Sequence, residues 1–216
     1  MYFNSRKDAG QRLALALVKY KESQPVILAL PRGGVPVAAE IALEFGSPLD
    51  LILVRKIGVP MQPELAMGAI ANGGTPTVVR NEEIIREIGI DESTFMNVQR
   101  RELEEIDRRR QCYLDDRPPL DIAGRLVIIV DDGIATGATT RAALRSVSSR
   151  KPTRRVLAVP VAPARAVASL KNEVDEIVCL EMPEHFHSIG AYYYDFGQVS
   201  DDEVRGLLAE HRPKAS

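Results

Sequence analysis

The chain has 216 residues, of which 45% are hydrophobic and 27% charged, and its formal net charge is −2 at pH 7. This length is enough for one α/β domain with a sizeable core. The low net charge excludes a global basic field for nucleic acid. The longest uncharged run, 65–79, is too short and too interrupted by glycine and proline to cross a bilayer.

Two cysteines, Cys112 and Cys179, are far apart in the sequence and show no metal-ligand spacing. We interpret them as reduced thiols. The N-terminus has no charged region followed by an apolar stretch, so no signal peptide is expected. Together these features predict a cytoplasmic protein that binds neither nucleic acid nor a membrane.

Short apolar runs and helical patterns alternate along the first part of the chain. An amphipathic helix over 6–20 precedes a strand over 25–30, a helix over 35–45 and a strand over 49–54. The stretch 57–80 has glycine and proline at its turns. It is predicted to be a long loop or a β-hairpin outside the core.

The next segment, 81–118, is rich in charge. Asp91 is suited to cap a helix there, and Glu105 and Arg109 form an i,i+4 pair in the favourable order. Apolar residues are sparse, so we predict a helical insertion of one or two exposed helices that forms a flap or a dimer contact. A purely solvated helical surface is the alternative.

The second half of the chain continues the same alternation. A β-branched apolar run over 126–130 predicts a strand buried on both faces, and a helical pattern follows over 143–147. Further elements are a strand over 154–161, a short helix over 163–170 and a strand over 176–180. The strands lack period-2 alternation, which favours a single doubly wound α/β domain with a mainly parallel sheet flanked by helices.

The last stretch, 181–216, contains a cluster of aromatic and imidazole side chains and then the capping box Ser200–Glu203, which predicts a final helix. The cluster consists of Phe186, His187, Tyr192, Tyr193, Tyr194 and Phe196.

Three predicted strand ends carry unusual chemistry: 31–34 (Pro-Arg-Gly-Gly), Arg55 with Lys56, and Asp131 with Asp132. Ligands of doubly wound sheets bind beyond the carboxyl ends of the strands. We therefore expect these residues to form three walls of one site.

The sequence over 130–139, Val-Asp-Asp-Gly-Ile-Ala-Thr-Gly-Ala-Thr, resembles the signature of type I phosphoribosyltransferases, and the order of the other motifs fits over most of the chain. It is neither a Walker A loop nor a GxGxxG fingerprint. The resemblance implies Mg²⁺-dependent transfer of a phosphoribosyl group from 5-phosphoribosyl 1-diphosphate to a nitrogen acceptor, a nucleobase or an amine, with release of diphosphate.

The resemblance also implies roles for the residues of this stretch. Asp131 and Asp132 would accept hydrogen bonds from the ribose hydroxyls and hold Mg²⁺ mostly indirectly, through those hydroxyls. The residues expected to bind the rest of the ribose phosphate are Ile134, Ala135, Thr136, Gly137, Ala138 and Thr139.

The segment 31–34 resembles the family's diphosphate loop, which implies a cis peptide bond between Pro31 and Arg32. Arg32, Gly33 and Gly34 would bind the diphosphate, and Arg55 and Lys56 resemble a basic pair that also contacts it. The candidate catalytic residues are Asp131, Asp132, Arg32 and Lys56. The loop from Ile57 onward would be a mobile lid that excludes water.

Ala135 stands where members that salvage 6-oxopurines have an acidic residue, so that chemistry is disfavoured. In the family the acceptor pocket is a variable hood, for which 181–216 is the candidate here. Its candidate pocket residues are Ile134, Phe186 and Tyr192, because aromatic rings stack on planar acceptors. The alternative is that the aromatic residues only cover the core and a dimer edge.

Three other interpretations remain open. A regulator or sensor of the same fold could bind the sugar diphosphate or a nucleotide without turnover. An α/β phosphatase or receiver-like domain could use the acidic pair for Mg²⁺, although no matching aspartate nucleophile and lysine are found. His185 and His187 could bind a metal with Cys179 or Glu181. Since many members of the family are dimers, a homodimer is also predicted.

Overall fold

The structure is a computed structural model that describes residues 2–72, 76–115 and 117–211. Its strands are β1 (Val26–Ala29), β2 (Leu49–Leu51), β3 (Leu53–Val59), β4 (Gln62–Asn72), β5 (Thr77–Arg80), β6 (Leu126–Val130), β7 (Arg154–Val161) and β8 (Glu176–Glu181). Its α-helices are α1 (Arg6–Ala16), α2 (Gly34–Phe45), α3 (Glu82–Ile88), α4 (Glu92–Leu114), α5 (Ala138–Ser149), α6 (Ala164–Leu170) and α7 (Asp201–Glu210).

A five-stranded parallel sheet with the order β2-β1-β6-β7-β8 forms the centre of the fold. Its strands bury both faces: Ile27 belongs to a core cluster with residues of α1 and α2, whereas its neighbour Leu28 belongs to another with residues of α5 and α6. Burial on both faces explains the continuous apolar runs. The prediction of a mainly parallel sheet flanked by helices is therefore confirmed.

A second, antiparallel sheet with the order β3-β4-β5 corrects two predictions. The predicted strand over 49–54 is two strands, and Arg55 and Lys56 lie inside β3 instead of at a strand end. The stretch 57–80 contains a hairpin, as one alternative proposed, but it is not outside the core, because Ile57 and Met67 are completely buried.

One glycine of this stretch lies inside a strand and not in a turn. Gly68 lies within β4, where a Cβ atom would come within 2.7 Å of the Val79 carbonyl oxygen on β5. The glycine allows two strands to approach closely, which is another use of glycine in strands. The part of this prediction that falls on 73–75 lies outside the described residues.

The charged segment folds into α3 and α4, with Asp91 capping α4 by accepting a hydrogen bond from the Thr94 amide at 2.8 Å. The predicted pair of Glu105 and Arg109 is present at 2.7 Å. The description of these helices as merely exposed is wrong, because Phe95 and Ile106 are buried. Helix α4 covers the second sheet with an apolar face. The charged composition of α4 conceals this face in the sequence.

The C-terminal segment returns to the N-terminus. The Phe3 amide donates to the Tyr192 carbonyl oxygen at 2.8 Å, and the Tyr194 amide donates to the Phe3 carbonyl oxygen at 2.9 Å. Helix α7 follows, capped by the Ser200 hydroxyl as predicted. Across the ranges that the structure describes, no helix combines the length and apolarity needed to span a membrane.

Candidate active site

The carboxyl ends of β1 and β6 lie side by side, joined by a hydrogen bond from the Leu30 amide to the Val130 carbonyl oxygen at 2.9 Å. A cavity with about 400 Å³ of empty space opens there. It is lined by Leu30, Pro31, Ile52, Leu53, Val54, Arg55, Ile106, Arg109, Asp131 and Thr139. We call it the central cavity. It brings together parts of all three predicted walls.

Lys56 does not line the central cavity. It lies with Arg55 at a larger opening of about 910 Å³, on the side of Arg101 and Glu102 of α4. Consecutive residues of a strand point to opposite faces of the sheet, which explains why Arg55 lines the central cavity and Lys56 does not. Arg55 is held in place by Glu102, which accepts a hydrogen bond from its Nε at 2.7 Å.

The loop between β1 and α2 presses against the acidic pair. The Pro31–Arg32 peptide bond is cis, as the resemblance implied. A Cβ atom on Gly33 would lie 2.0 Å from Oδ2 of Asp132, and one on Gly34 would lie 2.7 Å from the Val130 carbonyl oxygen. Only glycine leaves room for this approach, so the two glycines bring the loop against the end of β6.

Asp131 and Asp132 contact each other directly. The Asp132 amide donates to Oδ1 of Asp131 at 2.9 Å, and the Tyr193 hydroxyl donates to the Asp132 carbonyl oxygen at 2.6 Å. Burial, followed by the neighbouring charge of Asp132, raises the pKa of Asp131 well above its usual range, and Arg6 opposes this shift. Burial and the charge of Asp132 likewise raise the pKa of Tyr193.

Arg6 is a site residue that the sequence did not reveal. Its Nε donates to Oδ2 of Asp132 at 2.8 Å, and one terminal amino group donates to the Gly197 carbonyl oxygen at 2.8 Å. The guanidinium lies 3.9 Å from the centre of the Phe196 ring. Because 126 residues separate Arg6 from Asp132, no local pattern could have indicated this contact.

The predicted phosphate loop leads directly into helix α5. Gly137 has a φ of 83°, a left-handed conformation that favours glycine, and Ala138 begins the helix. Ala135, Thr136 and Thr139 are exposed. The first amides of α5 therefore face an open surface beside exposed hydroxyls, an arrangement that binds phosphate.

Ile134 is not placed where an acceptor could reach its side chain. It is 2% exposed and belongs to the core cluster that includes residues of α5 and α6, and its amide donates to the Val161 carbonyl oxygen at 2.9 Å. We therefore exclude Ile134 from the acceptor pocket. A loop residue a few positions after a strand can point inward or outward, and the sequence did not settle which.

The segment that carries the aromatic cluster covers the end of β6 through Ile189. A Cβ atom on Gly133 would lie 2.6 Å from Cγ2 of Ile189. The rings of Phe186 and Tyr192 stack on each other at 5.7 Å and pack against the cluster around Phe3 and Tyr193. They do not line the central cavity. This segment is thus next to the site, although its rings do not enter that cavity.

Arg32 and Arg109 line a second cavity beside the central one. This α4–α7 cavity has about 420 Å³ of empty space and is lined by Arg32, Arg108, Arg109, Cys112, Tyr113 and Asp201. One terminal amino group of Arg32 lies 3.6 Å from Asp201 of α7. Arg109 is the only described residue among the linings of both cavities.

Asp131 and Asp132 at the end of β6 supply carboxylate oxygens, a ligand type that suits Mg²⁺. Among the described residues there is no group of three or more His, Cys, Asp or Glu side chains able to hold a metal. Mg²⁺ commonly uses one or two carboxylates together with substrate phosphates. The same finding removes the suggested site at His185 and His187, and burial raises the pKa of the Cys179 thiol to about 11.

The chain is similar to several known proteins. The family model of the phosphoribosyl transferase domain matches residues 3–196. A protein of Mycobacterium tuberculosis, provisionally named a phosphoribosyl transferase and found in two strains, is 44% identical over 206 residues. The match covers 95% of this chain and 46% of the relative, so the chain spans about half the length of the curated relatives it matches.

Two solved structures are also similar. The crystal structure of TT1426 from Thermus thermophilus is 43% identical, with a TM-score of 0.85, and the match covers 99% of this chain and 100% of that chain. A hypothetical protein from Neisseria gonorrhoeae, solved with bound ppGpp, is 13% identical, with a TM-score of 0.50 over 98% of this chain and 99% of that one. The second likeness concerns the fold alone.

Proposed function

Because the chain belongs to the phosphoribosyl transferase domain family, whose model matches residues 3–196, we propose that it transfers a 5-phosphoribosyl group from 5-phosphoribosyl 1-diphosphate to a nitrogen acceptor. The acceptor is a nucleobase or an amine, diphosphate is released, and Mg²⁺ is required. The observation that carries the proposal is the central cavity, where Asp131, Thr139 and Arg55 meet.

We orient the donor in this cavity by its charged groups. Its 5′-phosphate binds the amides at the start of α5 and the hydroxyls of Thr136 and Thr139, because a helix N-terminus attracts anions. Its ribose hydroxyls donate to the carboxylates of Asp131 and Asp132. The diphosphate then lies toward Arg55 and the loop that contains Gly33 and Gly34, and Arg32 and Lys56 approach it from the two flanks.

The reaction requires positioning more than covalent participation by the protein. The bond from the anomeric carbon to diphosphate breaks, positive charge builds on the ribose ring, and an acceptor nitrogen forms the new bond from the opposite face. Arginine side chains stabilise the departing negative charge. The chemistry that Mg²⁺ supplies when bound beside Asp131 and Asp132 is neutralisation of charge on the diphosphate oxygens.

The acceptor enters on the side of the hood. Ala135 offers no group for proton transfer, so the acceptor must bring a nitrogen that is nucleophilic without that help. We keep Phe186 and Tyr192 as the acceptor-pocket residues, which requires their side chains to turn from their present packing toward the end of β6. A homodimer also belongs to this proposal, and light scattering would test it.

The experiment is to incubate the protein with the sugar diphosphate, Mg²⁺ and a panel of bases and amines, and to follow diphosphate release. We expect release that depends on one acceptor and falls by roughly 10- to 100-fold in Asp131→Asn, which loses a charged partner of the ribose. Asp202→Asn, on the exposed side of α7, is the control. Tight donor binding without release would instead indicate a sensor.

A further inference from the structure

We propose that Arg109 of α4 is a further residue that binds the diphosphate leaving group, so that the charged helical segment supplies an additional wall of the active site. The identity of the ligand rests on the proposed function. The position of the side chain does not, because it follows from the two cavities that Arg109 lines.

Arg109 joins two parts of the predicted diphosphate site that are otherwise separate. Arg55 lines the central cavity together with Asp131, whereas Arg32 lines the α4–α7 cavity. Arg109 borders both. A diphosphate that touches Arg32 and Arg55 at once must therefore pass Arg109.

Its guanidinium is held in place before any ligand arrives. Glu105 accepts a hydrogen bond from Nε of Arg109 at 2.7 Å, and no described residue accepts one from its two terminal amino groups. Hydrogen bonds from Arg108 and Arg109 lower the pKa of Glu105 to about 2, so this carboxylate stays ionised. Ile106, three residues earlier on the same helix face, is fully buried and fixes the orientation of that face.

A similar arrangement is found at Arg55, whose Nε donates a hydrogen bond to Glu102 at 2.7 Å. Arg32 differs, because one of its terminal amino groups lies 3.6 Å from Asp201, which itself lines the α4–α7 cavity. Neither Glu102 nor Glu105 lines the central cavity. Glu102 and Glu105 thus orient Arg55 and Arg109 from outside that cavity, and the terminal amino groups of these two arginines are available to an anion. Several guanidinium groups around one opening suit a ligand with several negative oxygens.

The local electrostatics agree with this placement. Burial and then a hydrogen bond to Asp201 raise the pKa of Tyr113 to about 12, while the charges of Arg109 and Arg32 act in the opposite direction. Both guanidinium groups are therefore close enough to Tyr113 to influence its hydroxyl. Both arginines also line the α4–α7 cavity.

The test measures binding of inorganic diphosphate and of ribose 5-phosphate, each with Mg²⁺, by calorimetry. Arg109→Gln should weaken diphosphate binding by roughly 10- to 100-fold, the effect of losing a charge-assisted hydrogen bond, and should leave ribose 5-phosphate binding unchanged. Arg100→Gln is the matched control, since Arg100 is exposed on the same helix and lines neither cavity. It should change neither affinity.

Diphosphate affinity like that of the wild type in Arg109→Gln would overturn the inference, as would equal weakening for both ligands, which would indicate a structural effect. Because no acceptor is present, a failure to find turnover would affect only the proposed function. A wild-type protein that binds neither probe would contradict both proposals. Arg109→Lys should recover part of the affinity, because it keeps the charge without the planar fork.

Discussion

Nε of Arg6 donates a hydrogen bond to Oδ2 of Asp132 at 2.8 Å, and the two side chains are only 12% and 11% exposed. The first residue of α1 thereby holds one of the two carboxylates at the end of β6. Asp132 has the loop around Gly33 against it, so its carboxylate is fixed between the chain start and the proposed diphosphate loop.

Arg6→Gln should lower the free energy of unfolding by about 3–5 kcal/mol at neutral pH, because it leaves Asp132 buried without its charged partner. Urea denaturation measures this value. Lys7→Gln is the control, since the Lys7 side chain is 71% exposed and 3.9 Å from its partner, and it should change stability by less than about 0.5 kcal/mol. Equal changes in the free energy of unfolding for the two substitutions would show that the buried ion pair contributes no more to stability than the exposed one.

Asp131→Asn should stabilise the empty protein at neutral pH. The raised pKa of Asp131 means that the folded state binds its proton more tightly than the unfolded state does. The stability that Asp131 contributes is therefore fully present at a pH below its pKa in the unfolded state. It is lost as the pH rises through its pKa in the folded state. The gain from the substitution should accordingly shrink in acid.

Unfolding free energies of the wild type and Asp131→Asn, measured from pH 3 to pH 8, would check this sign. Asp202→Asn serves as the control, because the Asp202 side chain is 85% exposed. A difference that grows toward low pH would contradict the raised pKa of Asp131.

Gly33→Ala should disrupt the site. Its new methyl group would lie 2.0 Å from Oδ2 of Asp132, so the loop or the carboxylate must move. We expect a loss of about 1–3 kcal/mol in stability, typical of overpacking, together with weaker binding of the sugar diphosphate. Gly206→Ala is the matched control: it lies inside α7 with no atom within 4 Å of the new Cβ, and it should stabilise the protein by about 0.5–1 kcal/mol.

Thr136→Val should weaken binding of ribose 5-phosphate by about 1–3 kcal/mol, because the phosphate loses a hydroxyl donor. The measurement compares ribose 5-phosphate with ribose, so that only the contribution of the phosphate changes. Thr77→Val, on β5 away from the loop, should leave both affinities unaltered. If the preference for the phosphorylated sugar persists in Thr136→Val, the hydroxyl does not contact the phosphate.

The sequence predicted those features that have local causes. The buried strand over 126–130, the helix caps at Asp91 and Ser200 and the glycine-rich turn at Gly137 each depend on residues within a few positions. Local signals of this kind are readable because capping and turn chemistry act over one helical turn. They were sufficient to give the fold class and the acidic end of the central strand.

The features that the sequence missed depend on distant packing. Arg6 reaches Asp132 only because α1 lies beside the end of β6. Arg109 faces the central cavity only because buried Phe95 and Ile106 fix α4 on the second sheet. Arg6 begins a stretch that the sequence predicts only as an amphipathic helix, and Arg109 belongs to a charged segment whose alternative interpretation is a solvated surface.

The pairing of Phe3 with 192–194 has a consequence for the slow opening motions of the protein. Since backbone hydrogen bonds join the two segments in both directions, their amides should exchange with deuterated solvent as one unit, at a single opening free energy. Opening of this pairing would also strain the hydrogen bond that the Tyr193 hydroxyl donates to the Asp132 carbonyl oxygen. Exchange at Phe3 and at 192–194 would therefore report on how firmly the acidic pair is held, and occupancy of the sugar site should slow it.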